Sequence, residues 1–265
     1  MECKICKSSS VELIFKKKVL GKYEVSYFRC NECEFIFTEQ PYWLKEAYSN
    51  AITSLDIGLL GRNIYLLQIV KTMISFFFNS KAQFLDYAGG YGVFTRLMRD
   101  SGFNYYREDV YCDNLFAKGF DITDLAETSK YELITAFELF EHLENPINDL
   151  IKPLSLSDNL LFSTELIPKN KSDLETWWYF TPETGQHISF YSVKSLTELA
   201  KRLNMHLYTN KVNIHLLTKK KINNSIFNIL SKQRINRFLG LFLKKKSSFL
   251  QADFNKIKLK INQTS

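Results

Sequence analysis

Three groups of residues in this chain have the types and the spacing to do chemistry. Two matched cysteine pairs, Cys3-x-x-Cys6 and Cys30-x-x-Cys33, stand near the start. A glycine-rich run, Asp86-Tyr-Ala88-Gly89-Gly90-Tyr-Gly92, follows the apolar residues Phe84 and Leu85. Histidine is the side chain whose ordinary pKa lies near neutrality and so the natural proton acceptor; His142, His187, His206 and His215 are the candidates.

The cysteine pattern is that of a metal knuckle. Two residues between cysteines let one tight turn aim both sulfurs at a single ion, and thiolates hold zinc at ~2.3 Å. The 23 residues between the pairs are slightly more than usual for a four-thiolate site. Four sulfurs close the coordination shell and leave no place for water, so Cys3, Cys6, Cys30 and Cys33 are expected to hold a structural zinc. The functional alternative is a nucleic-acid-binding ribbon. Cys112, the odd fifth cysteine, reads as a small core residue.

In the glycine run, an apolar strand delivers Asp86 to the carboxyl end of a sheet, where ligands of open α/β sheets bind. Gly90 and Gly92 let the backbone turn sharply and approach a ligand closely. The spacing is not the dinucleotide fingerprint, and no Lys-Ser/Thr pair follows as in a nucleotide P-loop. A plain strand–helix loop is the alternative.

The elements that must position these groups can be read from periodicity. Val11–Phe15, Tyr23–Phe28 and Phe35–Phe37 are expected strands. A helical stretch begins at Pro41, and another helix covers roughly Ile64–Phe78. Gln83–Tyr87, Tyr105–Val110, Leu133–Phe137 and Leu160–Thr164 are further strands, with helices over Gly92–Ser101, Asn148–Leu154 and Ser192–Leu203. Strands alternating with helices predict an α/β fold with a doubly wound, mainly parallel sheet, preceded by a small N-terminal zinc module. The end of the chain reads as two basic helices with apolar faces, one carrying Ile226, Phe227, Ile229 and Leu230, the other Phe238, Leu239, Leu241 and Phe242. On this reading the chain divides into a zinc module (1–38), a helical connector and lid (39–80), a catalytic domain (81–218) and a basic helical segment (219–265).

With 265 residues, 45% of them hydrophobic, the chain is long enough to bury a core. No apolar run reaches the ~18 residues of a membrane span, and the start lacks the pattern of a secretory signal. Free cysteines at metal spacing fit a reducing cytoplasm. The formal charge of +7 is uneven: from Lys219 onward there are twelve basic residues and one acid, Asp253, whereas residues 1–218 carry 23 basic and 27 acidic side chains. The basic surplus belongs to the tail, which argues against nucleic acid as a partner of the whole surface. Amphipathic basic helices suit an anionic membrane surface, or alternatively dock their apolar faces on the catalytic domain or a second subunit.

The glycine run resembles motif I of the class I S-adenosylmethionine-dependent methyltransferases, an acid followed by G-x-G-x-G, with Ala88 in place of the first glycine and Gly90 and Gly92 as the others. Asp109, 23 residues beyond Asp86, matches the family acid that binds the ribose hydroxyls, with Glu108 as its competitor. The resemblance implies a cofactor site made of Asp86, Ala88, Gly89, Gly90, Gly92, Asp109, Asp121 (toward the adenine) and Phe137. The segment Phe137-Glu-Leu-Phe-Glu141-His142-Leu-Glu-Asn-Pro, the turn Gly185-Gln-His187-Ile-Ser-Phe-Tyr-Ser and the run Trp177-Trp178-Tyr179-Phe strengthen it. With the cysteine knuckle, the set resembles methyltransferases of bacterial sugar and surface-polysaccharide clusters, including zinc-containing sugar C-methyltransferases. Those are much longer, and their large C-terminal domain has no counterpart here.

The implied reaction is in-line methyl transfer, in which the protein orients a nucleophile and, for a hydroxyl, removes its proton. His142 falls where the sugar C-methyltransferases carry a Glu-His pair, with Glu141 to orient it, and His187 is the second candidate base. His206 and His215 are expected to be structural. Tyr42, Tyr48, Trp177, Trp178 and Tyr179 are expected to cover the acceptor, with Trp43 beside them and Glu183 as a polar contact. No acidic or histidine cluster in the sequence points to a catalytic metal outside the knuckle. The absence of an Asn/Asp-Pro-Pro-Tyr signature favours O-methylation. The leading expectation is thus a methyltransferase acting on a sugar, nucleotide sugar or related small metabolite. An RNA methyltransferase with a zinc-ribbon module and a non-catalytic scaffold protein are the alternatives.

Overall fold

The computed structural model describes residues 1–49, 52–125, 130–170, 173–240, 242 and 245–264. Strands β1 (Val11–Val19), β2 (Tyr23–Cys30) and β3 (Ile36–Thr38) come first, then helices α1 (Leu44–Ala47) and α2 (Leu59–Phe77). There follow β4 (Gln83–Tyr87), α3 (Val93–Asp100), β5 (Asn104–Glu108), β6 (Leu133–Ala136), α4 (Pro146–Asp149), α5 (Ile151–Leu156), β7 (Asn159–Ser163), β8 (Ser189–Phe190) and α6 (Val193–Arg202). The last elements are β9 (His206–Thr209), β10 (Ile214–Thr218), α7 (Asn224–Leu230), α8 (Gln233–Leu239) and α9 (Leu250–Thr264).

Ten strands make two sheets among the described residues, ordered β1-β2-β3-β8 and β5-β4-β6-β7-β10-β9. The strands β5, β4 and β6 are parallel neighbours, whereas β10 runs antiparallel to both β7 and β9. This is the mixed α/β architecture expected, with an antiparallel edge that the sequence did not announce. The chain forms two compact units, residues 1–56 with 136–221 and residues 57–135 with 222–265.

In the first unit the N-terminal hairpin is closed by a turn with Leu20 and Gly21 both at positive φ, the geometry that matches strand twist. The strand β1 continues past Phe15 to Val19, because pairing with β2 extends through the lysines that break its apolar pattern. The four-stranded sheet is completed from far along the chain: Ile36 pairs with Phe190 and Phe37 with Ser189. Val25, Tyr27, Ile36, Trp43, Phe180 and Phe190 share one core, and the Trp43 indole N–H donates to the Gly185 carbonyl at 2.8 Å. A module bounded at residue 38 would leave β3 without that partner. The expected helix Asn148–Leu154 is instead two short helices, α4 and α5, meeting at Leu150.

In the second unit β4 lies between β5 and β6, and α7 and α8 pack against α2, burying Phe227 and Leu230. The single acid of the tail, Asp253, is buried in α9 and receives Arg99 through Nε (2.8 Å) and Nη2 (2.6 Å) and Arg96 through Nη1 (2.9 Å). The basic segment therefore docks on the unit that holds the glycine run. Leu241, expected on its apolar face, lies outside the described residues. Among the described residues no helix is long and apolar enough to cross a membrane.

Candidate active site

The two cysteine turns repeat one geometry. In each, the amide four residues after the first cysteine donates to that cysteine's carbonyl (Lys7 to Cys3, Glu34 to Cys30), and the cysteine's own amide donates to the carbonyl five residues on (Ser8, Phe35). Lys7 and Glu34 close the turns at the same φ of 64°. The four sulfurs lie within 4.8 Å of one another, with Cys3–Cys33 at 3.5 Å and Cys6–Cys30 at 3.4 Å. Bonds of ~2.3 Å to a tetrahedral zinc put sulfurs about 3.8 Å apart, so the cluster fits that ion. Hydrogen bonding with Cys33 pulls the Cys3 thiol down to about 5, and the same contact pushes Cys33 up. Cys112 stands apart; it is half-buried rather than in the core, and burial raises its thiol to about 11.

The glycine run becomes a turn locked from beneath. Asp86 is buried at the end of β4, where its carboxylate accepts the hydroxyls of Thr135 (2.9 Å) and Thr95 (3.2 Å). Burial raises its pKa to about 7, against the pull of those hydroxyls and of Arg107. A Cβ on Gly89 would meet Asp86 Oδ2 at 2.7 Å, so glycine is needed there to close the turn over the carboxylate. Gly92, at φ 85°, caps α3, and a Cβ on it would strike Asn114 at 2.7 Å. Ala88 takes the left-handed conformation at φ 55° without being glycine. Asp86 therefore holds the turn from beneath through Thr95 and Thr135.

Asp109 ties the next loop to this turn. Its Oδ2 accepts the Gly90 amide at 2.9 Å, and its Oδ1 accepts the Tyr111 and Cys112 amides at 2.8 Å each. A carboxylate oxygen accepts two hydrogen bonds, so Oδ2 keeps one direction for a ligand hydroxyl. Arg107, which sequence reasoning passed over, braces the whole arrangement. Its Nε donates to the Gly90 carbonyl (2.6 Å), Nη1 to Asp121 (2.7 Å) and Nη2 to the Cys112 carbonyl. Asp121 also accepts Asn114, so both its oxygens are engaged as struts. Arg107 is buried beside Glu108 on β5, and its place one residue before that strand's end was the available signal. The amides of Leu115 and Phe116 donate to the Tyr91 carbonyl, which sets the exposed apolar side chains Val110, Tyr111, Leu115 and Phe116 on the loop following Asp109.

The first unit brings Glu141, His142 and His187 together. The residues Phe140–His142 make a single tight turn after β6, and His187 stands just before β8. His142 Nδ1 lies 3.0 Å from the Gln186 carbonyl and His187 Nδ1 2.7 Å from the Tyr179 carbonyl. A carbonyl only accepts, so each ring carries a proton on Nδ1, which turns Nε2 toward the other members of the cluster. The rings stand 5.0 Å apart, and Glu141 Oε1 lies 4.0 Å from His142 Nε2. Burial lowers the His142 pKa, with the Gln186 carbonyl and the Glu138 charge opposing, so the ring is neutral at pH 7. Glu138 itself holds φ 51° after β6, and Ser163 Oγ donates to its carboxylate at 2.6 Å. His215, buried between Thr164 and Thr209, is structural as expected.

The expected acceptor residues separate. Tyr179 is buried, its carbonyl holding His187, and Trp177 packs on the core of the small sheet. Trp178, Tyr42 and Glu183 are exposed. The half-buried Tyr48 ring stands 6.1 Å from the His142 ring, edge toward it. Phe137 is half-buried directly after β6.

A family model described as a methyltransferase domain matches residues 63–209, more than half of the chain. The chain belongs to the methyltransferase-domain family. The matched stretch of this methyltransferase domain includes Asp86, the glycine turn, Asp109 and the Glu141–His142–His187 cluster. No curated protein matches the sequence. Among solved structures, CalO1, a methyltransferase in calicheamicin biosynthesis in an SAH-bound form, is 12% identical, covering 68% of this chain and 60% of its own, with a TM-score of 0.42. An O-methyltransferase family 2 protein from Planctomyces limnophilus, in complex with apigenin, is 12% identical, covering 66% of each chain, with a TM-score of 0.45. Magnesium protoporphyrin IX methyltransferase from Synechocystis, with bound SAH, is 11% identical, covering 66% of this chain and 90% of its own, with a TM-score of 0.44. This chain therefore spans less than two thirds of the length of the first two.

Proposed function

We propose that the chain is an S-adenosylmethionine-dependent O-methyltransferase acting on a sugar, nucleotide sugar or related small metabolite, as in surface-polysaccharide synthesis. The observation that carries this reading is the neutral His142 ring, held by the Gln186 carbonyl with its lone pair at Nε2, in a chain of the methyltransferase-domain family. When bound, S-adenosylmethionine supplies an electrophilic methyl group on a sulfonium centre. The residues to hold it are the backbone of Ala88–Gly92, the spare direction on Asp109 Oδ2, and the apolar side chains that follow Asp109. A hydroxyl must lose its proton to become a good nucleophile, and we assign that proton to His142 Nε2, with Glu141 steadying the imidazolium that forms. The exposed faces of Trp178 and Tyr42 suit the C–H surface of a sugar. The zinc at the four cysteines has no coordination position for substrate and serves the fold.

The deciding measurement is calorimetric titration of S-adenosylhomocysteine into the zinc-loaded protein and into Asp109→Ala, with melting temperatures as a folding control. Binding near the micromolar range, weakened at least about tenfold in the variant, supports the reading. Folded, zinc-loaded protein that takes up no ligand leaves the scaffold alternative.

A further inference from the structure

We propose that Glu141, His142 and His187 form a second metal site, taking a divalent transition ion such as zinc through one carboxylate oxygen and two imidazole Nε2 atoms. Three ligand atoms, one from each residue, lie within 4.8 Å of one another. Bonds of ~2.0–2.1 Å to a tetrahedral zinc bring such atoms to roughly 3.3 Å apart, so the side chains close inward by about 1 Å each. Both imidazoles are already fixed for the task. Metal-bound histidines characteristically donate their other ring N–H to a carbonyl or carboxylate, which sets the tautomer and the ring plane. Here the Gln186 and Tyr179 carbonyls receive the two Nδ1 protons at 3.0 and 2.7 Å.

The backbone holds the two ligand segments in register. The Ile188 amide donates to the Glu141 carbonyl at 2.9 Å, while the Gln186 carbonyl receives His142. The neighbours on either side of His187 are therefore tied to the two ligands on the other segment. Gln186 is in turn anchored, its side-chain amide donating to the Ala47 carbonyl at 2.9 Å. The Glu141 carboxylate is fully buried, and a divalent ion compensates a buried carboxylate. Two imidazoles and one carboxylate favour zinc, cobalt or iron(II) over magnesium or calcium, which prefer all-oxygen shells.

Three protein ligands leave a fourth position open, the arrangement of catalytic rather than structural zinc. This deepens the reading above and rests on it for function: the acceptor hydroxyl takes the open position, and the ion lowers its pKa. The ion then does what His142 Nε2 does as a base in the ion-free protein, since the same lone pair cannot serve both.

The test is a metal count on the full-length protein by atomic emission after zinc loading and desalting, followed by cobalt titration monitored in the visible. The expected result is two ions per chain. Cobalt in the second site should give weak d–d bands without the thiolate charge transfer of the cysteine site. His187→Gln and Glu141→Gln should each bind one ion, keep the cysteine-site signature and so prove folded. A wild-type count of one, or two ions retained in both variants, overturns the proposal. Neither result depends on the methyl donor, so failure of the methyltransferase reading shows separately, as absent S-adenosylhomocysteine binding.

Discussion

Ala88 holds φ 55°, a conformation that an L-residue reaches only at a cost of about 1–2 kcal/mol. Ala88→Gly removes that cost while adding freedom to the unfolded chain, for an expected net gain of up to about 1 kcal/mol in denaturant unfolding. Asp86 has the opposite problem, a carboxylate buried under Gly89 with its pKa raised to about 7. A pKa higher in the folded than in the unfolded chain means that the folded state binds more protons between about pH 4 and 7. Stability contributed at this position therefore falls as pH rises through that window and stays reduced above it. Asp86→Asn, which carries no charge, should unfold at a nearly pH-independent midpoint relative to wild type's falling one, with its advantage greatest at pH 8. An equal pH slope in both proteins would refute this. If His142 is the general base proposed above, His142→Gln should lower kcat by ~10²-fold or more, with S-adenosylhomocysteine affinity unchanged because the substitution touches neither the glycine turn nor Asp109.

At the scale of elements, the cysteine knuckle and the His187 segment meet in one sheet. The turn holding Cys30 and Cys33 leads into β3, and β3 pairs with β8, two residues beyond His187. Chelating the zinc proposed for the four cysteines, or replacing Cys33 by Ser, should remove the constraint on that edge. Hydrogen exchange should then accelerate at Phe37 and at Ser189–Phe190, while β4 and β5 keep their protection. Uniform acceleration across both sheets would mean instead that the zinc holds the entire fold. The two-residue strand β8 has too few hydrogen bonds to stay paired without β3 fixed opposite it.

Across the whole molecule, one residue decides where the basic tail goes. Asp253 is the only acid among its twelve lysines and arginines, and it is the one charged side chain of α9 buried against Arg99 and Arg96. The Arg99 guanidinium also lies 3.7 Å from the centre of the Phe120 ring. Removing one partner of a buried ion pair leaves the other uncompensated, so Asp253→Ala is expected to cost about 3–5 kcal/mol and to free α9. Thermal melts and limited proteolysis after Leu250 would show both effects. An unchanged melting temperature would mean that the tail is held by its apolar contacts alone.

Much of the chemistry was legible because it is local. Cysteine pairs two residues apart, an acid before a glycine-rich turn, and a capping Ser192 ahead of α6 act through neighbours in sequence, and the strands β4, β5, β6 and β7 follow from short apolar runs. Arg107 was not legible: its worth lies in reaching Gly90, Cys112 and Asp121 at once, which no spacing in the sequence encodes. The short β8 carries too little pattern to be seen without its partner. The histidine cluster was equally hidden, since 44 residues lie between His142 and His187 and the sequence taken alone offered no metal site beyond the cysteines. Sequence determined which residues could bind, cap or take a proton. Tertiary structure decided which of them share a centre, because hydrogen bonds and ion pairs depend on distance in space, and long-range strand pairing brings distant segments within that reach.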